Sequence, residues 1–118
     1  MGLLNSDALV ALLKAGDRDH AVIANNLANV NTPGFRSTRS RFAQELDALL
    51  DDQAGLKPDK EIETETFHPF YPDVGADGND VSLEREIAEL NKNSLRMQFY
   101  LAVLGARIQR IKEALGGP

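Results

Sequence analysis

This 118-residue chain predicts a mostly α fold. Long N- and C-terminal helices pair as a coiled-coil-like hairpin, with a short helix and an irregular middle segment between them. Two apolar seams at alternating four- and three-residue spacings, one near each end, carry the repeat of helices packed on partner helices. Between them runs an acidic stretch broken by prolines. Only 6% of residues are aromatic and there is no Trp, which suits helices burying stripes better than a large compact core. The length allows one small domain at most. It divides into an N-terminal helix and turn (1–35), a variable and partly disordered middle (36–80) and a C-terminal helix (81–118).

The first helix is expected over residues 7–31, with Asp7 offering a carboxylate to its N-terminal dipole. Leu9, Leu13, Gly16, His20, Ile23, Leu27 and Val30 form its seam. Asn25, Asn26 and Asn29, whose amides compete for backbone hydrogen bonds, fall together on one flank of it. Pro33 excludes helix at Thr32, and Gly34 supplies the positive φ that a turn after proline often needs. Two readings stand side by side. In one, this is an ordinary Asn-rich helix end and Pro-Gly turn. In the other, the uncharged Asn flank is an interface strip that bonds to neighbouring subunits.

A short basic run, Arg36, Arg39 and Arg41, follows the turn. Phe42, Leu46, Leu49 and Leu50 then recur at helical spacing and predict a short helix over 40–50. Residues 51–80 hold nine acidic residues and two lysines, a net of −7 in a chain whose total is −5. This charge distribution argues against a nucleic-acid binder, which would show a basic patch instead. Pro58, Pro69 and Pro72 forbid a continuous helix here. Residues 61–67 alternate weakly, as a strand would, but lack an evident partner run.

The second long helix has the cleaner signal. Leu83, Ile87, Leu90, Ser94, Met97, Leu101, Leu104, Ile108, Ile111 and Leu115 keep the spacing without a slip. Ser82 is the expected N-cap, Glu84 and Glu86 lie in the first turn, and Arg107, Arg110 and Lys112 lie near the end. Gly116-Gly117-Pro118 stops the helix. A run of about 33 residues spans roughly 50 Å, too long for a compact domain of this size. If the helices pack antiparallel with Val30 beside Leu83, Leu27 meets Ile87, Ile23 meets Leu90 and His20 meets Ser94. Gly16 then meets Met97, Leu13 meets Leu101 and Leu9 meets Leu104. The two polar seam residues would share a hydrogen bond, and the flexible Met97 would fill the gap at Gly16.

Chemistry-bearing patterns are sparse. The absence of cysteine excludes disulfides, thiolate catalysis and cysteine-ligated zinc. His20 reads as a packed polar residue, and His68, between Phe67 and Pro69, as part of a half-buried aromatic cluster with Phe70 and Tyr71. Asp73, Gly75, Asp77, Gly78 and Glu84 fall at positions 1, 3, 5, 6 and 12 of a calcium loop. Glycine at the third position lacks a ligand, and Pro69 and Pro72 remove the preceding helix, so a plain Asp-Gly turn is the competing reading. No nucleophile motif is present, and no enzyme activity, cofactor or metal is expected. No apolar run approaches the ~20 residues of a membrane span. The N-terminus is no cleavable secretory signal, since Leu3-Leu4 runs straight into Asn5, Ser6 and Asp7. Residues 1–6 fit the myristoylation formula, which is short enough to match often by chance.

Two stretches carry a family resemblance. Residues 24–35, Ala-Asn-Asn-Leu-Ala-Asn-Val-Asn-Thr-Pro-Gly-Phe, resemble the N-terminal signature of bacterial flagellar rod and hook proteins, Asn-hydrophobic-Ala-Asn-x-x-Thr-Pro-Gly-aromatic. Asn25-Asn26-Leu27 departs from it only in size, since many relatives have a smaller residue before Asn-Ile. Residues 77–96 are similar to the C-terminal region of the proximal rod proteins, which reads Asp-Gly-Asn-x-Val-x-Leu-Glu-x-Glu-hydrophobic and then Asn-Ser-hydrophobic-Arg. The two stretches cover rather more than a quarter of the chain.

The resemblance implies a structural subunit, exported through the flagellar type III apparatus without a cleaved signal. It would polymerise in the periplasmic rod of the basal body, its terminal helices paired and lining the inner wall, linking the membrane ring and export gate to the rest of the rod. Implied partners are copies of itself, other proximal rod subunits, the FliE-type ring–rod junction protein and the export apparatus. Nucleic acid and direct membrane insertion are not implied. The candidate assembly residues are Asn25, Asn26, Leu27, Asn29, Thr32, Pro33, Gly34 and Phe35 in the first motif. On the second seam they are Leu83, Ile87, Leu90, Ser94, Met97, Leu101, Leu104 and Ile108. The alternative is a small soluble coiled-coil adaptor or secretion chaperone that dimerises through the C-terminal helix. A chaperone would be folded alone, whereas a rod subunit would be only partly helical until neighbours bury its stripes.

Overall fold

The computed structural model describes residues 6–42 and 65–116. Helix α1 spans Ser6–Ala28, followed by a turn and a two-residue strand β1 (Arg39–Ser40). Strand β2 (Thr66–Phe67) pairs with β1 antiparallel, Arg39 opposite Phe67 and Ser40 opposite Thr66. Helix α2 (Leu83–Ala114) then runs back along α1. The result is the expected mostly helical hairpin, elongated to 64 × 29 × 20 Å.

Both helix ends have a local cause. Helix α1 stops three residues before the expected end because the chain tightens there. The N–H groups of Asn29, Val30 and Thr32 each donate to the carbonyl three residues back, at 3.0–3.3 Å. The Asn29 amide donates to the Asn25 carbonyl at 2.8 Å, satisfying an acceptor the helix leaves orphaned. Gly34, with φ 75°, completes the reversal. Helix α2 begins as its sequence predicts, with the Ser82 hydroxyl accepting from the Arg85 N–H at 3.3 Å. It runs 32 residues and closes at Gly116, φ 76°.

The apolar core is small. Leu9, Leu12, Ala15, Phe42 and Tyr100 form it, with Leu13, Val103 and Leu104 packed against it. Gly16 lies against Met97, where an added Cβ would come within 3.1 Å of Met97 Cγ. The expected axial pairing of Gly16 with Met97 therefore stands.

The faces that meet are different from those of the expected register. Helix α1 buries Leu9, Leu12, Gly16, Asp19, Ile23 and Asn26, so Leu12, Asp19 and Asn26 take the places expected for Leu13, His20 and Leu27. His20 is exposed, and the polar contact across the helices comes from Asn93 rather than Ser94, its amide donating to the Gly16 carbonyl at 2.9 Å. Helix α2 turns every seventh residue, Glu86, Asn93 and Tyr100, into the structure. Its apolar seam is half-buried at Leu90, Met97 and Leu104 and open at Leu83, Ile87, Leu101, Ile108, Ile111 and Leu115. The roll has a mechanical reason. Helix α1 packs on α2 and on residues 37–42 at once, so its buried arc centres between the two.

The short helix expected over 40–50 begins one residue late: Ser40 lies in β1, Arg41 and Phe42 are helical, and beyond residue 42 the helix falls outside the described residues. Of the weak alternation at 61–67, Thr66–Phe67 forms a strand, and its partner is Arg39–Ser40. The first five residues, which carry most of the myristoylation formula, also fall outside the described residues.

Candidate functional site

The two family-like motifs, remote in sequence, meet in one junction at the end of α1 and the start of α2. The Gly34 N–H donates to the Asp77 carbonyl at 2.9 Å, and the Asp80 N–H to the Phe35 carbonyl at 3.3 Å. Gly78, with φ 83°, packs so close that a Cβ added there would lie 3.5 Å from Gly34 Cα. The Asn79 amide donates to the carbonyls of both Asn29 (2.9 Å) and Thr32 (2.8 Å). Its oxygen accepts from the Val81 N–H at 2.8 Å. One side chain thus ties the last turn of α1 to the entry of α2. Asp77 accepts from the Asn79 N–H at 3.1 Å, and Gly78 donates to the Gly75 carbonyl at 2.9 Å, the plain Asp-Gly turn of the competing reading.

Beneath the turn lies a polar network. The Asp80 carboxylate is fully buried, accepting from the Ser37 N–H and, at 3.1 Å, from Arg36 Nε. Burial pushes its pKa up, but the Ser37 bonds and the Arg36 charge outweigh it and hold Asp80 below the usual carboxylate range. That contribution to stability is present above pH 3.8 and is lost as pH falls through the lowered value. Asn26, 1% exposed, accepts from the Thr38 N–H at 2.9 Å and donates to the Thr38 carbonyl at 2.7 Å. Its amide also donates to Glu86 Oε2 at 3.1 Å. Asn26 therefore pairs with Thr38 as a strand neighbour would. Asp19 fixes the same segment by accepting from the Ser40 hydroxyl at 2.8 Å, and burial raises its pKa. The Arg85 guanidinium donates to the Ser37 hydroxyl (3.1 Å) and the Asp80 carbonyl (2.8 Å) and lies 3.5 Å from the Tyr71 ring centroid. His68 Nδ1 bonds the Ser37 carbonyl at 2.9 Å. The expected aromatic cluster does not assemble: Phe67 faces Arg41, Tyr71 faces Arg85, and Phe70 is 83% exposed.

Glu86 gives this network a pH signature. Burial raises its pKa above 4.5 despite the Asn26 bond and the nearby Arg85. A raised carboxyl pKa means the folded chain holds the proton longer than the unfolded one, so stability falls as pH rises from 4.5 through the raised value. Glu86→Gln, which keeps the acceptor for Asn26, is expected to flatten that decline in urea midpoints measured from pH 4 to 7.

The candidate residues separate into two groups. In the first motif, Asn26 and Asn29 bond inside their own chain, Leu27 and Phe35 are half-buried, and Asn25, Thr32, Pro33 and Gly34 are exposed. On the second helix, Leu83, Ile87, Leu101 and Ile108 are exposed and Leu90, Ser94, Met97 and Leu104 half-buried. The residues not anticipated are polar: Asp19, Asn79, Asp80, Glu86 and Asn93, all buried. The one available signal was the repeat of Glu86, Asn93 and Tyr100 every seventh position, which runs beside the apolar seam.

Comparison with known proteins fits this geometry. A profile of the flagella basal body rod proteins matches residues 13–36, which end in the junction. The flagellar basal body rod protein FlgB of Aeromonas hydrophila is 32% identical over 107 residues, covering 81% of this chain and 80% of its own. The FlgB of Salmonella typhimurium is 29% identical, with 81% of each chain covered. That of Bacillus subtilis is 25% identical, with 89% of this chain and 88% of its own covered.

Proposed function

The chain belongs to the FlgB family of flagellar basal body rod proteins, and from that premise we propose that it polymerises in the proximal rod through the open face of α2. The observation that carries this reading is a stripe of six large apolar residues, Leu83, Ile87, Leu101, Ile108, Ile111 and Leu115, each 44–81% exposed along one helix. An exposed apolar stripe of this length is the mark of a surface completed by other chains. From residue 105 to 114 every side except that of Arg107 is exposed, so the end of α2 lacks even the cover of α1. The junction acts as the brace that holds the two helices in register while neighbours dock. The neighbours are copies of the chain and other proximal rod subunits, with the FliE-type ring–rod junction protein and the export apparatus at the base. The chain reaches them by flagellar export without a cleaved signal, and its terminal helices pair toward the inner wall of the rod.

Leu101→Glu and Ile108→Glu test this. Both sites are exposed, so each change is expected to shift stability by no more than about 0.5 kcal/mol. Each is expected to abolish rod assembly and motility in a complemented strain, while Leu101→Ile restores both. Normal motility in both glutamate variants overturns the reading.

A further inference from the structure

We propose that the free chain pairs the open face of α2 with the same face of a second copy, antiparallel, as a closed dimer that must open before the rod grows. The inference rests on the reading of that face as the assembly surface and assigns it a resting partner.

Three features of α2 select this arrangement. The first is register. Centred on residue 99, an antiparallel pair sets Leu83 against Leu115 of the second copy, Ile87 against Ile111, Leu90 against Ile108, Ser94 against Leu104 and Met97 against Leu101. All ten seam residues are used. A slip of one heptad either way leaves two of them at one helix end with nothing opposite.

The second feature is charge. The first turns of α2 carry Glu84, Glu86 and Glu89, and the last carry Arg107, Arg110 and Lys112. Antiparallel pairing brings Glu84 alongside Lys112 of the second copy, twice by symmetry, and opposes the two helix dipoles. Parallel pairing would put Glu84 beside Glu84 and Lys112 beside Lys112.

The third feature is access. Helix α1 occupies the flank of Glu86, Asn93 and Tyr100, and Arg85 is held by Ser37 and Asp80. At 100° per residue, Ile87 and Leu101 point away from Arg85, on the side nothing in the described chain covers. Leu90, Met97 and Leu104, only half-buried by α1, remain open to the second helix. The contact is isologous, so it closes on itself and cannot propagate, whereas a rod requires heterologous contacts. Self-pairing thus masks the stripe without starting a filament.

The 118-residue chain, which contains no cysteine of its own, suits a thiol test. On mild oxidation, an equimolar mixture of Ile87→Cys and Ile111→Cys chains is expected to crosslink, and neither variant alone. In this register each thiol lies 24 residues, about 36 Å, from its own symmetry copy, far beyond the ~7 Å between Cα atoms that a disulfide spans. Sedimentation of the unmodified chain is expected to show a dimer. Lys112→Glu should weaken it about tenfold, and the added Glu84→Lys should restore it. Crosslinking of either single variant alone would show parallel pairing and overturn the proposal. So would a chain that stays monomeric throughout the micromolar range. A monomer that still builds rods removes the dimer and leaves the assembly surface standing, whereas motile Leu101→Glu cells remove the surface itself.

Discussion

Asn26→Leu is expected to remove about 3 kcal/mol of stability, one of the largest losses available to a single substitution in this chain. The side chain is 1% exposed and makes three hydrogen bonds, two with Thr38 and one with Glu86. Leucine is close in volume and fills the space, so the loss arises from the groups left behind. The Thr38 N–H and carbonyl lose their partner, and the buried Glu86 carboxylate loses a donor. Leaving such a group unsatisfied costs about 1–3 kcal/mol, and the three are coupled, so a full sum is not expected. Against a total stability of about 5–15 kcal/mol, the variant is marginal. Urea unfolding measures it directly, and a loss below about 0.5 kcal/mol would show that Asn26 does not hold residues 37–40 in place. Asn26→Asp should be impaired at neutral pH as well, since it sets a second carboxylate against Glu86. Unlike the leucine variant, it should recover part of its stability as the pair is protonated.

A second large effect separates two neighbouring leucines. Leu12 is 1% exposed in the core beside Ala15, Phe42 and Tyr100, and Leu13 is only half-buried at its margin. Leu12→Ala is expected to cost about 3 kcal/mol, in the range of buried Leu→Ala changes, because the rigid helices cannot collapse into the space. Leu13→Ala should cost nearer 1 kcal/mol, the burial it gives up being smaller. The seam spacing alone ranks these two the other way round. Equal losses, or a larger one at Leu13, would contradict the packing described.

That reversal shows where the fold was legible. Two helices, their antiparallel course, the Ser82 cap and the contact of Gly16 with Met97 all follow from apolar period and end signals. Period, however, locates the apolar arc of a helix, not the arc its own chain covers. Asp19, Asn26, Glu86 and Asn93 are buried because each finds a hydrogen-bond partner in a segment 21 to 77 residues away, or, for Asn26, also one 12 residues away. Nothing local announces such a partner. Polar residues therefore take the internal interface, and the leucines and isoleucines of α2 are displaced to the outside. The junction was half legible: the Thr-Pro-Gly and Asp-Gly-Asn turns were evident as turns, but their mutual bonding through Asn79 was not.

The ladder at the foot of the middle segment sets how freely the chain can change. Arg39 and Ser40 pair with Phe67 and Thr66, and the Arg41 N–H donates to the Glu65 carbonyl at 2.8 Å. The chain at residues 41 and 65 is thereby held as a closed neck. Where two ends are already held together, the entropic cost of a flexible linker between them grows only logarithmically with its length, about 0.6 kcal/mol per doubling. The neck is thus a clamp: a flexible linker added between residues 42 and 65 joins ends that already lie side by side, so lengthening it is expected to cost the brace and the two long helices little.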